Sequence, residues 1–394
     1  MTDGADLLPS LHFRGVVLGP SGFAAQGREW LQLLDDLGLA PSLHGARLGD
    51  VDGGESAQHR ATIERCAARA PKPGRVTVHH VLPPHFEPDP GARANVVVTV
   101  FETRALPSGW GERLAHADAV VVPAQPIADA FVRGGVPADR VHAIAPPVAT
   151  AAFEPASAEP WGGLPPRRSD RLRLLSVFDW SLRKGFDALL TAFARACRPH
   201  EAELILKVAP QPDADRQALE QRCRRIVAAC APGPAPAVHV VADNLDADEL
   251  PALYAACDAF VLASRGEGWG RPVHEAMLMG LPVVATQAGA LATLMPDALV
   301  GYPVATTVAP VSAEAADEAP VFAGQEWWEP DVADLSRQLR AVLDDRQDAK
   351  ARGRRGRAHA LAIVEARRIA AEFCDVLDRV ATADAAPGRV PACR

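Results

Sequence analysis

Short apolar runs alternate with helical stretches along nearly the whole chain, and the alternation runs twice. In the first series Phe13–Leu18, Val76–His80, Asn95–Val100, Ala119–Val122 and Val141–Ala145 read as strands. Phe23–Leu37, Glu112–His116 and Ile127–Arg133 read as the helices between them. The second series sets strands at Leu172–Phe178, Glu203–Val208, Val238–Val241, Ala259–Leu262 and Leu281–Ala285. Its helices are Phe186–Cys197, Asp215–Cys230, Ala247–Ala256, Asp331–Leu343 and Gln347–Leu377, the last broken near Gly353 and Gly356. Strands that alternate with helices pair in parallel through right-handed crossovers. The fold class is therefore α/β, and 394 residues suffice for two such domains. The Pro/Gly/Arg-rich stretch Glu154–Asp170 has little periodicity and reads as the linker. This divides the chain into 1–165, 166–360 and a final 361–394 expected to return to the first domain. Met1–Pro9 and Thr382–Arg394 read as frayed tails.

Open parallel sheets hold ligands beyond the carboxyl ends of their strands, so the loops there carry the functional reading. The richest is Ser264–Thr286, SRGEGWGRPVHEAMLMGLPVVAT, which sets Glu267 and Glu275 eight residues apart across a glycine-broken turn. Gly266, Gly268 and Gly270 let backbone approach a ligand closely. Pro272 suits the first helical position, which would put Glu275 in the first turn, near the positive end of the helix dipole. Two acceptor carboxylates beside free N–H groups suit a polyhydroxylated, phosphorylated ligand.

Other loops add to this. In Ser181-Leu182-Arg183-Lys184-Gly185, Arg183 and Lys184 lie beside a helix start and are suited to a diphosphate. Lys207 ends the apolar strand LILKVAP, where an ammonium needs an anionic partner, either an internal carboxylate or a ligand. In the first series Gly19-Pro20-Ser21-Gly22 follows a strand and opens a helix, either as a tight turn or as a close approach for ligand by Gly19 and Gly22. His79 and His80 end a strand on opposite faces, with His80 the candidate to face ligand. Glu102 follows the strand ending near Val100. His274 reads as a packed imidazole, the run Arg352–Arg357 as a solvated face, and Trp327-Trp328-Glu329-Pro330 as packing for the C-terminal helices.

The net charge of −8 argues against a nucleic-acid partner, whose phosphates demand a basic face. No apolar run reaches the ~18 residues of a membrane span, and nothing supports peripheral membrane contact. MTDGADLLPS lacks a basic region or apolar stretch of signal type, so a cytoplasmic protein is expected. The seven cysteines lack CxxC spacing and read as reduced thiols. No histidine or cysteine pattern has metal-ligand spacing, so no metal or cofactor is expected.

EGWGRPVHEAMLMGLPVVAT resembles the E-x7-E signature of bacterial retaining glycosyltransferases of family 4, which have the GT-B fold. RKGFDALLTAF, LYAACDAFVLASRGEGWG and WWEPDVADLSRQL are similar to further segments of that family, as are TVFETRALPSGW and VVPAQPIADAFVRGGVPADRVHAIAPPV. The similar pieces run from about residue 15 to 375. The resemblance implies two Rossmann-like domains facing an interdomain cleft, acceptor-binding first and donor-binding second. It implies a nucleotide-diphosphate sugar donor and an acceptor such as a polysaccharide, lipid carrier or secondary metabolite. Glu267 would accept hydrogen bonds from the donor sugar, Glu275 from the ribose, and Lys184 would hold the diphosphate without a required metal. Gly268, Trp269, Gly270 and Arg271 would present backbone N–H groups, with His80 on the catalytic side and Glu102 on the acceptor side. Many relatives carry a second cation about six residues before the lysine, where this chain has Phe178; Arg183 or Lys207 is the replacement. A sugar-nucleotide epimerase of the same fold, a phosphorylase or a catalytically silent sugar-nucleotide-binding subunit are the alternatives.

Overall fold

The structure is a computed structural model and describes residues 10–47, 53–156, 158–168, 170–209, 216–246 and 248–382. The tail Met1–Pro9, all of the second tail beyond Thr382, and the helix starts expected at Asp215 and Ala247 lie outside the described residues. Contacts divide the chain into two compact units. One holds the residues up to Phe101, Ala105–Val148 and the chain from Val364 onward; the other holds Glu102–Arg104 and Ala149–Ile363.

The first unit is built from β1 (Leu11–Leu18), α1 (Gly22–Asp36), β2 (Ser42–Arg47), α2 (Ala57–Ala67), β3 (Val76–His80), β4 (Ala94–Val98), α3 (Trp110–Leu114), β5 (Ala119–Val122), α4 (Gln125–Arg133) and β6 (Val141–Ala143). Its six strands are all parallel, in the order β2-β1-β3-β4-β5-β6. α1 starts where the Ser21 hydroxyl accepts from the Ala24 N–H at 3.1 Å, a standard N-cap. It buries Ala24, Trp30, Leu31 and Leu34 at helical spacing. β2 is an edge strand exposed over much of its length, so its residues Ser42–Arg47 carry no apolar alternation to announce it.

The second unit continues with β7 (Leu172–Phe178), α5 (Phe186–Ala196), β8 (Ala202–Val208), α6 (Arg216–Cys230), β9 (Ala237–Val241), α7 (Glu249–Ala255), β10 (Ala259–Leu262), α8 (Arg271–Leu278), β11 (Val283–Thr286), α9 (Leu291–Leu294) and β12 (Tyr302–Val304). These six strands form a second parallel sheet, β12-β11-β10-β7-β8-β9. Read from the other edge this is the 3-2-1-4-5-6 order of dinucleotide-binding sheets, whose direction reverses between β7 and β10. An excursion follows: β13 (Thr306–Pro310), α10 (Ala313–Glu318) and β14 (Glu326–Pro330), with the two strands antiparallel. Trp327-Trp328-Glu329-Pro330, expected only to pack the C-terminal helices, is thus a strand of this excursion.

α11 (Val332–Asp344) and α12 (Arg346–Ile363) close the second unit, and α13 (Ala366–Thr382) joins the first. α13 buries Ile369, Phe373, Val376 and Leu377 at helical spacing, and the Phe373 ring sits 4.6 Å from that of Trp30. Each such buried side chain contributes about 1.5–3 kcal/mol of transfer free energy.

Three expectations need correction. The last helical stretch breaks at Val364–Glu365 and not at its glycines. Gly353 lies inside α12, where a Cβ would stand 2.3 Å from the Gly280 carbonyl oxygen, so glycine permits close packing there. The Arg352–Arg357 run is largely bound to its neighbours: Arg352 pairs with Asp348 at 2.7 Å, Arg355 donates to Leu299 O, and Arg357 donates to Phe153 O and pairs with Glu154. The expected linker is anchored to the second unit at two of its residues: the Trp161 N–H donates to Ala252 O at 2.9 Å and Arg167 pairs with Asp258. No helix among the described residues is long and apolar enough to cross a membrane.

Candidate active site in the second unit

The loops after β7 and β10 leave the sheet at its reversal point, and the chain ties them together residue by residue. After β7 a 3₁₀ turn, Leu182–Lys184, ends on Gly185 in the left-handed region at φ 66°, from which α5 starts. A Cβ on Gly185 would lie 1.9 Å from the Ala263 carbonyl oxygen, so only glycine lets the turn sit against the end of β10. The Arg265 N–H donates to Arg183 O at 2.7 Å, and Arg183 returns a bond from its guanidinium to Gly266 O at 2.8 Å. These bonds bring Lys184 to Glu267: Nζ donates to Oε1 at 2.7 Å, with each residue under a tenth exposed.

Burial alone would raise the Glu267 carboxyl. The charges of Lys184 and Arg183, with hydrogen bonds from Lys184 and Ser264, outweigh it and hold the group below its ordinary value. Burial likewise opposes the Arg183 cation, and the carboxylates of Glu102, Glu267 and Asp179 more than restore it. The site therefore keeps the buried Glu267 carboxylate and the Arg183 guanidinium charged together at neutral pH.

Glu275 is the fifth residue of α8, beyond the first turn in which it was expected, because Arg271 and not Pro272 opens the helix. Its carboxylate accepts from the Tyr254 hydroxyl at 3.0 Å and lies 3.5 Å from the Arg271 guanidinium. Burial, and then the Glu275 charge, push the Tyr254 phenol well up, so it remains a donor. Gly270 precedes α8 at φ 85°. The Trp269 indole N–H donates to His274 Nδ1 at 3.0 Å, and His274 Nε2–H donates to Ala360 O at 3.1 Å. Buried and fully bonded, His274 is a neutral post under the loop, its pKa pushed down to about 4 by burial.

Lys207 is the penultimate residue of β8, with its ammonium donating to Val208 O at 2.8 Å. Among the described residues no carboxylate lies within salt-bridge distance of it. Burial lowers its pKa, and the more distant Asp243 and Asp179 charges partly offset that. Phe178 is buried beside this strand end and adds no charge.

Sequence reasoning missed Arg265. Its guanidinium pairs with both Asp187 oxygens at 2.8 Å and both Glu329 oxygens at 2.6 Å, and bonds Leu182 O. It thus holds α5, the turn before it and β14 to the loop that carries Glu267, two residues away. Its partners lie 78 and 64 residues off, so only its place in a buried loop signals it.

Glu102 belongs to the second unit, its carboxylate 3.8 Å from the Arg183 guanidinium. Its backbone lies against Gly266, where a Cβ would stand 2.1 Å from the Glu102 carbonyl oxygen.

The remaining candidates belong to the first unit. His80, expected as a catalytic imidazole, is a core residue with no exposed surface, because both faces of β3 are covered. Its ring stacks on Phe23 at 4.1 Å, Nδ1 bonds Val16 O, and burial drives its pKa down to about 3. His79 is also buried and bonds Asn95 at 2.8 Å. The Gly19 N–H, a candidate ligand donor, is already taken by Glu55 at 2.8 Å, and Gly22 is the first residue of α1.

Residues 172–319 match the family model described as Glycosyl transferases group 1. A sulfoquinovosyl transferase of Arabidopsis thaliana is 45% identical over 58 residues, which is 15% of this chain; the match spans 11% of that protein's length. Among solved structures, HepE from Anabaena in complex with UDP and glucose superposes with a TM-score of 0.64 at 13% identity, over 93% of this chain and 99% of that one. Sucrose-phosphate synthase from Thermosynechococcus elongatus gives 0.64 at 18% identity, over 95% and 100%. These likenesses establish the GT-B fold.

Proposed function

We propose that the protein is a retaining glycosyltransferase that moves a hexosyl-type sugar from a nucleotide-diphosphate sugar to an acceptor hydroxyl. The observation that carries this reading is the buried Lys184–Glu267 pair at the reversal point of a dinucleotide-type sheet. Glu267 accepts from donor sugar hydroxyls and Glu275, presented by Tyr254 and Arg271, from the ribose. Lys184, Arg183 and Lys207 face the diphosphate, with Lys207 in place of the cation absent at Phe178. Gly268, Trp269, Gly270 and Arg271 supply backbone N–H groups at the start of α8.

In the reaction the bond from the anomeric carbon to the diphosphate oxygen breaks and a bond to the acceptor oxygen forms on the same face. The acceptor proton passes to the departing diphosphate. Negative charge grows on that leaving oxygen, and fixed cations in a buried site stabilise it with no reorganisation at the moment of reaction. On this reading these cations take the part a metal would otherwise play at the diphosphate.

HepE's complex with UDP and glucose makes UDP and UDP-glucose the first probes. A thermal-shift screen with UDP, GDP and dTDP tests binding, since a ligand at ~100 times its Kd adds about 2.7 kcal/mol of stability. NMR of the glycoside formed from the matching sugar nucleotide tests retention. Absence of both nucleotide binding and donor turnover would refute the proposal; an inverted product would refute its stereochemistry.

A further inference from the structure

Arg265 stands two residues before Glu267, and every polar atom it owns is committed. Its backbone N–H donates to Arg183 O at 2.7 Å, and its carbonyl accepts from the Trp328 N–H at 3.1 Å. A guanidinium has five N–H donors. Here Nε donates to Glu329, Nη1 to Leu182 O and Asp187, and Nη2 to Asp187 and Glu329, so all are spent. The guanidinium also lies 5.3 Å from the centre of the Trp327 ring. With no donor left and a side chain 6% exposed, Arg265 has nothing to offer a phosphate.

The excursion that supplies Glu329 and Trp327 also holds the turn after β7. Glu318 of α10 accepts the Leu182 N–H at 2.8 Å, and the Phe322 ring lies 5.8 Å from the Arg183 guanidinium. Leu182 is thus gripped at its N–H from α10 and at its carbonyl by Arg265. Lys184 is two residues further, where its Nζ meets Glu267 at 2.7 Å. The turn is a single 3₁₀ stretch of three residues, too short to hold that position by its own hydrogen bonding.

We infer that Arg265 is a positioning residue for the proposed transfer: with Glu329 and Glu318 of the excursion it fixes the turn that carries Lys184 against the loop that carries Glu267. The inference rests on the glycosyltransferase reading and extends it from the groups that meet the donor to the group that places them. Arg265→Lys keeps the charge and loses the planar fork, since one ammonium cannot serve two carboxylates and a carbonyl in the same geometry. A shift of ~1 Å in a catalytic group costs about 10²-fold in rate. Charge on the leaving oxygen grows only in the transition state, so the loss falls on kcat and leaves KM in place.

The test measures nucleoside diphosphate release from UDP-, GDP- and dTDP-glucose, per mole of folded protein, and carries the best donor forward. Wild type, Arg265→Lys, Glu329→Gln, Lys184→Ala and Lys184→Ala/Arg265→Lys are compared. Arg265→Lys should lower kcat by about 10–10²-fold, with KM unchanged. Glu329→Gln, at a side chain 36% exposed, should lower kcat in the same direction by less. Added to Lys184→Ala, Arg265→Lys should slow turnover by no more than about twofold, because the group it places is gone. A folded Arg265→Lys with wild-type kcat overturns the inference, as does a loss carried wholly by KM or a full further fall in the double variant. If Arg265→Lys does not fold, Glu329→Gln decides, and wild-type kcat there overturns the inference. A wild type that neither binds nor turns over any of the three sinks the functional reading and this inference with it, a failure visible without any variant.

Discussion

Replacing Lys184 by methionine removes one partner of the 2.7 Å ion pair and leaves Glu267 in a site under a tenth exposed. Breaking a buried pair in this way costs about 3–5 kcal/mol, because the remaining charge loses its compensation. Arg183 still acts on Glu267, which sets the expectation at the lower end, about 3 kcal/mol. Hydrogen exchange read by mass spectrometry on peptides from β7–α5 and β10–α8 isolates the second unit from the first. A loss of that size speeds exchange there by about 10²-fold. The double variant Lys184→Met/Glu267→Gln buries no unpaired charge and should recover most of it.

The pH dependence follows from the carboxyl. Glu267 in the folded chain lies below its ordinary value of 4.5. In wild type its stabilisation is therefore complete above pH 4.5 and is lost as pH falls through the folded pKa. In Lys184→Met the main opposing charge is gone while burial persists, so the penalty is full at neutral pH and shrinks as acid protonates the carboxyl. A variant that opens no faster than wild type, or whose penalty does not change down to pH 4, would refute this reasoning.

Arg265→Lys keeps the charge but loses the two-sided fork, and with it charge-assisted bonds worth about 1.5–3 kcal/mol; urea unfolding should show a loss of that order in the second unit. His79 and His80 are neutral in the fold, with pKa values of about 4 and about 3 against an ordinary 6.5. The unfolded chain binds protons that the native state refuses between these values, so stability of the first unit is full above pH 6.5 and falls on acidification. Each histidine contributes about 1.4 kcal/mol per pH unit within its window, measurable by urea titration at several pH values. Lys207→Met should weaken UDP binding by about tenfold or more in calorimetry, the loss of one charge-assisted hydrogen bond.

The alternation of apolar runs and helices made both sheets legible, because strand and helix periods are local. The strand ends followed from the same pattern, and with them the segments that carry Lys184, Glu267 and Glu275; the reversal point did not, because strand order is set by long-range pairing. What failed was long-range or two-sided. Alternation along VTVHH cannot tell that both faces of β3 are covered, so His80 read as a ligand-facing imidazole and is a core residue. Arg265 depends on carboxylates far off in sequence. The excursion after β12 is too short and too polar in β13 to announce a strand, and only pairing with Trp327 and Trp328 makes it one. Gly353 looked like a break because a glycine's close contact with Gly280 is invisible from the chain.

The central claim is that Glu267 and Lys184 act together on a sugar nucleotide. Its most direct test is the rate of UDP-glucose turnover by Glu267→Gln and Lys184→Ala, with folding checked by circular dichroism. The account predicts a fall of about 10²–10³-fold in each folded variant. Turnover at the wild-type rate in either folded variant would contradict it.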